Sequence, residues 1–330
     1  MKFEVVKDDP LNILTSTKAV VENLQYIAFD ESKISALAEK IIERFNQGLD
    51  EDYELGIGVT PSLKDDLQLV FIENVVNFCF WPSMGEKKWG VEWPKGNIVS
   101  GGWYGLVACF KRGIAEGVPI LNSEYLKSMS TGDARQFFRG VEGAEIPLLE
   151  KRVENLREAG EVLSKEFDGQ IINLIEKNNY DAVEIVRDII EHFPSFRDVS
   201  VIEGKEIRFL KRAQICPNDF SYLLKKTNKP ITGLDKLTAY ADYKLPQILR
   251  MFGVISYNDT LSQKVDDMVE IEHEFREEIE IRASTVWGIE LLRQHIGSLT
   301  AGDIDNTIWV MSQKLQDDSR PHHRTRTIYY

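Results

Sequence analysis

Three short stretches carry side chains suited to chemistry. In LTAYADYKLPQ, residues 237–247, Asp242 stands between Tyr240 and Tyr243, just ahead of Leu245-Pro246. Proline fits the first turn of a helix and disfavours α geometry in the residue before it. The pattern therefore predicts a helix from near Leu245-Pro246 through Ile248, Leu249 and Phe252 to Gly253. Asp242 then has two readings. As a cap on that helix it contributes about 0.5 to 2 kcal/mol. As a carboxylate held beside aromatic rings it stabilises a developing positive charge next to a stacked base. In FLKRAQI, 209–215, Lys211 and Arg212 follow an expected strand. The pair reads either as solvated surface or as a clamp in which an ammonium and a guanidinium meet one phosphate dianion. In GDIDNTIWVMSQ, 302–313, Asp303 and Asp305 lead a helix that contains Trp309. Acidic residues suit a first turn and the tryptophan suits a core. The alternative is an acceptor for the donors of a nucleobase or an amine.

Other chemistries lack their signatures. There is no GxGxxG or GxxxxGK[ST] loop, and Gly101-Gly102 has no strand before it. No GxSxG flags a nucleophile elbow. Cys79, Cys109 and Cys216 are far apart in apolar or mixed surroundings, which suits buried free thiols in a reducing compartment. His192, His273 and His295 are isolated and His322-His323 are adjacent, so none has the spacing that puts two ligands on one helix face. Neither a disulfide framework nor a zinc motif is indicated.

The elements that must position these residues are mostly helical. Ile34, Leu37, Ile41 and Phe45 recur at helical spacing, as do Leu148, Val153, Leu156 and Leu163. LVFIENVVNFCFW, 69–81, is apolar nearly all round and reads as a buried helix whose Glu73, Asn74 and Asn77 need internal partners. Two small hairpins interrupt the helices. One runs from Trp89 to Val99 around Pro94-Lys95-Gly96-Asn97; the other pairs Val199 to Ile202 with Glu206 to Leu210 around Glu203-Gly204-Lys205. EEIEIRASTVWGIELLRQHI and Ile304 to Leu315 return to helix, with Gly297 and Gly302 as stops. The tail SRPHHRTRTIYY, 319–330, is the kind of segment that frays, but two tyrosines in so polar a stretch point to docking on the body.

The 330 residues, 43% hydrophobic and 10% aromatic, supply a sizeable core. No linker or repeat divides them, so one compact domain over 1–330 is expected, with a helical N-terminal lobe at about 1–190 and a catalytic lobe at about 191–330. Forty basic residues against fifty-three acidic ones give a formal charge of -13, which opposes condensation on a long nucleic acid. No apolar run is long enough for a membrane span. A soluble, cytoplasmic monomer is the expectation.

Taken together, NFCFWP (77–82), FPSFRDVSVIEGKEIRFLKRAQI (193–215), LTAYADYKLPQILRMFGVI (237–255), EIEIRAS (278–284) and HRTRTIYY (323–330) closely resemble the queuosine salvage protein family. The likeness runs in the same order over nearly the whole chain. It implies a mainly α fold distantly like the helix-hairpin-helix DNA glycosylases, with one or two small β-hairpins. The implied activity is hydrolysis of the N-glycosidic bond of queuosine 5'-monophosphate to queuine and ribose 5-phosphate, with water and no cofactor. The family's ADY motif puts the catalytic aspartate on Asp242, where it stabilises or captures an oxocarbenium-like sugar. Tyr240 takes the place of an aromatic lining the base site. Asp305, followed by Asn306, is the matching acceptor for the base or its aminomethyl group, and Lys211 is the expected 5'-phosphate contact. Where relatives can carry a polar residue after the helix tryptophan, this chain has Val310, which puts contacts to the cyclopentenediol in question. The remaining readings are a glycosylase for another purine-like nucleotide and a non-catalytic queuine binder.

Overall fold

The computed structural model describes residues 2–48, 59–100, 102–315 and 319–330. Among these the chain forms fourteen α-helices and three two-stranded antiparallel sheets, a mainly α protein. Both expected hairpins are present. Gly90–Glu92 pairs with Ile98–Ser100, and Val199–Ile202 pairs with Lys205–Arg208. Only Glu203 and Gly204 close the second hairpin, both at positive φ, so its second strand begins one residue earlier than the pattern suggests and ends at Arg208. The third sheet pairs Ile27–Phe29 with Ile255–Tyr257. It joins strands 228 positions apart, which no local pattern announces.

The helix Arg276–Ile296 organises the interior and is buried around nearly its whole circumference. Ile279, Val286 and Trp287 belong to one large apolar cluster, while Ile281, Ile289 and Leu292 belong to a second. A helix buried on all sides must satisfy its polar side chains internally. Glu280 accepts from the backbone N–H groups of Gln25 and Tyr26, and Arg282 forms a two-pronged ion pair with Asp198 at 2.7 and 2.6 Å.

Two expectations about helix ends are corrected. The apolar run 69–81 is not one helix: Leu63–Val75 is helical and Asn77–Trp81 is not. The cause is the buried guanidinium of Arg152, which donates to the carbonyls of Val76, Phe78 and Cys79 and so gives that stretch hydrogen bonds outside a helix. Gly302 is no stop, because it lies in the first turn of the helix Ala301–Gln313. A side chain there would sit 2.7 Å from the Tyr240 hydroxyl, so glycine permits that close approach. Gly297 does end its helix, in a left-handed conformation. The three cysteines are buried free thiols. Among the described residues no helix is long and apolar enough to cross a membrane.

Candidate active site

Three sequence stretches converge on one pocket of about 710 Å³, counted to its open mouth. Asp242, Tyr240, Asp305, Asn306 and Lys211 all line it. Each is buried, with 8% of Asp242, 5% of Lys211 and 4% of Asp305 exposed, so these charges meet little water.

The segment carrying Asp242 is fixed from both sides. After it, the helix Lys244–Met251 begins almost where the proline predicts. Asp242 Oδ1 accepts the N–H groups of Lys244 at 2.7 Å and Leu245 at 3.1 Å. One carboxylate therefore both bonds the start of that helix and lines the pocket. Oδ1 is committed to the helix, and Oδ2 has no protein hydrogen bond among the described residues. Before it, Arg282 donates to the Ala241 carbonyl at 3.2 Å, and the Tyr240 N–H donates to Asp305 Oδ2 at 2.7 Å.

Two helices supply the opposite walls. Lys211, Ile215 and Asp219 line the pocket from Lys211–Leu224; Asp305, Trp309 and Gln313 line it from Ala301–Gln313. Each set is spaced i, i+4, i+8 and so lies on one helix face. That spacing was visible in the sequence and would have added Asp219 and Gln313. Val310 is buried and absent from the pocket wall, so the departure from the family pattern falls in the core.

The adjacent candidates in two of the motifs separate. Arg212 turns away from the pocket, donating to the carbonyls of Asn74 at 3.0 Å, Val75 at 2.8 Å and Ser195, and it stacks on Phe196 at 4.4 Å. It is a brace rather than half of a clamp. Asp303 forms a reciprocal cap with Thr300 and leaves Asp305 to the pocket.

Burial dominates the electrostatics. It pushes the Asp242 carboxyl above its usual range, against the opposing pull of Lys211 and of the two backbone N–H groups. The helix N-terminus thus moderates the cost of burying this charge without overcoming it. Asp305 is held well above the usual carboxylate range by burial and then by Asp242. Lys211 is lowered by burial, with Asp242 the strongest group acting against that. One ammonium thus sits among three carboxylates, those of Asp242, Asp305 and Asp219.

The pocket also uses residues that no local motif marked. Asn77, Phe78 and Phe80 come from the non-helical stretch that Arg152 holds, and Trp103 from the helix Gly102–Ala115. Asn77 donates to Asn74, and Asn74 to Asp219, so these two polar residues of that run have internal partners. Tyr330 reaches the pocket because the tail docks as expected. The Cys79 N–H donates to the Tyr330 carbonyl at 2.9 Å, the Tyr330 hydroxyl donates to Glu278 at 2.9 Å, and Arg326 pairs with Glu270. Outside the pocket, Asp188, Glu191 and His192 lie close together, with Asp188 paired to Lys177 at 2.8 Å.

Residues 59–330 match the family model described as queuosine salvage protein. A protein of Sphaerobacter thermophilus named queuosine 5'-phosphate N-glycosylase/hydrolase is 36% identical over 327 residues, covering 98% of each chain. Proteins of the same name from Mus musculus and Bos taurus are 31% and 30% identical, covering 97% and 96% of this chain and 99% and 97% of their own. With the match running through every wall of the pocket, the chain belongs to the queuosine salvage protein family.

Proposed function

We propose that this protein hydrolyses the N-glycosidic bond of queuosine 5'-monophosphate, releasing queuine and ribose 5-phosphate. The observation that carries this reading is the convergence of Asp242, Tyr240, Asp305, Asn306 and Lys211 in one buried pocket, in a chain similar over nearly its full length to proteins named for that activity. The pocket suits a mononucleotide. Its lining residues are largely buried, its walls carry aromatic and polar groups, and the chain's charge of -13 disfavours a polyanion.

Cleavage separates the anomeric carbon from the glycosylated nitrogen, which leaves with the bonding pair and takes up a proton. The sugar passes through an oxocarbenium-like state and water completes the hydrolysis. Asp242 presents Oδ2 to the positive sugar, either as a fixed counter-charge or as a nucleophile that water later displaces. In a pocket this dry, the same charge is worth far more than in water. Lys211 opposes the upward push of burial on the Asp242 carboxyl and so favours its ionised form. Tyr240 and Trp309 supply faces for the base, and Asp305 and Asn306 supply polar contacts to its edge or its aminomethyl group. Residues on both sides of position 190 line the pocket, so the C-terminal stretch alone does not complete it.

The test is incubation of purified protein with queuosine 5'-monophosphate, queuosine and guanosine 5'-monophosphate, followed by chromatography for free base. Release of queuine from the first substrate is expected. No release from it overturns the proposal, and preference for guanosine 5'-monophosphate moves the activity to ordinary purine nucleotides.

A further inference from the structure

One guanidinium holds the backbone beneath both charged residues of the pocket wall. Arg282 Nε donates to the carbonyl of Ala241, the residue before Asp242, and its two terminal nitrogens donate to Asp198. Asp198 in turn accepts the N–H of Lys211 on Oδ2 at 2.9 Å, and those of Phe209 and Leu210 on its carbonyl, each at 3.1 Å. The segment leading to Asp242 and the start of the helix that carries Lys211 are thus bonded to the same ion pair. Displacing the guanidinium displaces both.

Hydrogen bonds fix the edge of a planar cation and leave its faces to be covered. The rings of Phe209 and Tyr330 lie over Arg282 at 4.0 and 4.3 Å. Phe209 belongs to the segment that Asp198 already holds, whereas Tyr330 arrives from the docked tail. Tyr330 is tied down on two further sides. Its hydroxyl donates to Glu278, on the same helix as Arg282, and its carbonyl accepts from Cys79, in the stretch that supplies Asn77, Phe78 and Phe80 to the pocket. Its neighbour Tyr329 differs: it is half-buried, leans on His273 at 5.3 Å and is absent from the pocket wall. Elsewhere the tail is seated without either ring, by the Ile271 N–H on the Arg324 carbonyl at 2.8 Å and by the pairing of Arg326 with Glu270. A change at 330 therefore leaves the rest of the tail its own anchors.

We infer that Tyr330 is a positioning residue for the reaction: its ring holds the plane of Arg282, and Arg282 holds Asp242 and Lys211 in their places on the pocket wall. This rests on the hydrolase reading for what those two side chains do there, and goes beyond it in giving a residue of the tail a part in the chemical step. A ring that only walled the pocket would act on substrate binding. A ring that acts through Arg282 acts on the placement of the reacting carboxylate, and so on turnover.

The experiment measures kcat and KM for queuosine 5'-monophosphate, with the thermal transition alongside, for the wild type, Tyr330→Leu, Tyr330→Phe and Tyr329→Leu. Tyr330→Leu is expected to lower kcat roughly tenfold to a hundredfold, the scale of a reacting group displaced by about an ångström, while KM stays within about twofold. Tyr330→Phe keeps a ring over the guanidinium and should hold kcat within about threefold of the wild type. Tyr329→Leu should leave kcat within about twofold, whatever it does to Tm. A Tyr330→Leu variant that raises only KM, or lowers only Tm, overturns the inference. So does an equal loss of kcat from Tyr329→Leu, or a Tyr330→Phe variant as slow as Tyr330→Leu. If the wild type does not cleave the nucleotide, the hydrolase reading fails, and hydrogen exchange then decides the positioning role by itself. Tyr330→Leu is expected to speed exchange in residues 209–215 and 237–247 and to leave the helix Leu149–Glu166 unchanged. Unchanged exchange in the first two stretches, or equal acceleration in all three, overturns it.

Discussion

The pocket wall and the scaffold behind it bury the same kinds of charge at the same depth, but they satisfy those charges to different degrees. Behind the wall, Arg152 has the carbonyls of Pro147, Val76, Phe78 and Cys79, Arg212 has three carbonyls, and Arg282 has both oxygens of Asp198. On the wall, Lys211 Nζ and Asp242 Oδ2 have no hydrogen bond among the described residues. Burying an incompletely paired charge is costly, and such groups persist where a ligand completes them. Lys211 and Arg212 make the contrast within one dipeptide: one side chain serves the pocket and its neighbour braces the fold.

The scaffold should break hardest. Arg282→Met leaves Asp198 buried without a counter-charge and removes the hold on Ala241, so urea denaturation is expected to show a loss of about 3 to 5 kcal/mol. Adding Asp198→Asn should recover part of that loss, because both charges are then gone.

On the wall the loss should fall on catalysis instead. Asp242→Asn keeps an oxygen for the helix N–H groups and is expected to remain folded, while turnover drops by about 100-fold or more. Stopped assays at saturating substrate, with a denaturation curve alongside, separate the two effects.

A finer effect concerns pH. Lys211 lowers the Asp242 pKa against the larger effect of burial. Removing that ammonium lets the carboxyl rise, so the acid limb of the kcat/KM profile in Lys211→Met should lie at higher pH than in the wild type. A limb in the same place would separate Lys211 from Asp242.

The smallest effect expected is a stabilisation. Asp305 has a folded pKa well above its unfolded one, so the folded protein holds that proton more tightly. The stability associated with it is complete below the unfolded value and is lost as pH rises through the folded one. Asp305→Asn cannot ionise, so its Tm should gain on the wild type as pH rises above the unfolded carboxylate value, while base binding weakens. A Tm gap that shrinks over that range would contradict the assigned sign.

Much of the fold was legible because helical periodicity is local, as in Leu149–Glu166, and both hairpins carried their own turn residues. The run 69–81 misled because its apolar pattern says nothing of Arg152, some seventy residues away, which supplies the bonds that end the helix at Val75. In the pocket, Asp242, Asp305 and Lys211 came from motif likeness, and the i, i+4, i+8 stripes would have supported them. Phe78 and Trp103 were out of reach, since only tertiary packing brings them to the cavity, while Lys244 stood two residues from Asp242 and the tail's docking was expected without its destination. For Asp242 the two local readings are not exclusive, because a carboxylate has two oxygens and the helix takes only Oδ1.

The most direct test of the central claim is a crystal structure of the protein soaked with queuine. The ring is expected against Tyr240 and Asp305, with its glycosylated nitrogen directed at Asp242. A ring bound in another cavity, or one in this pocket with that nitrogen turned away from Asp242, would contradict it.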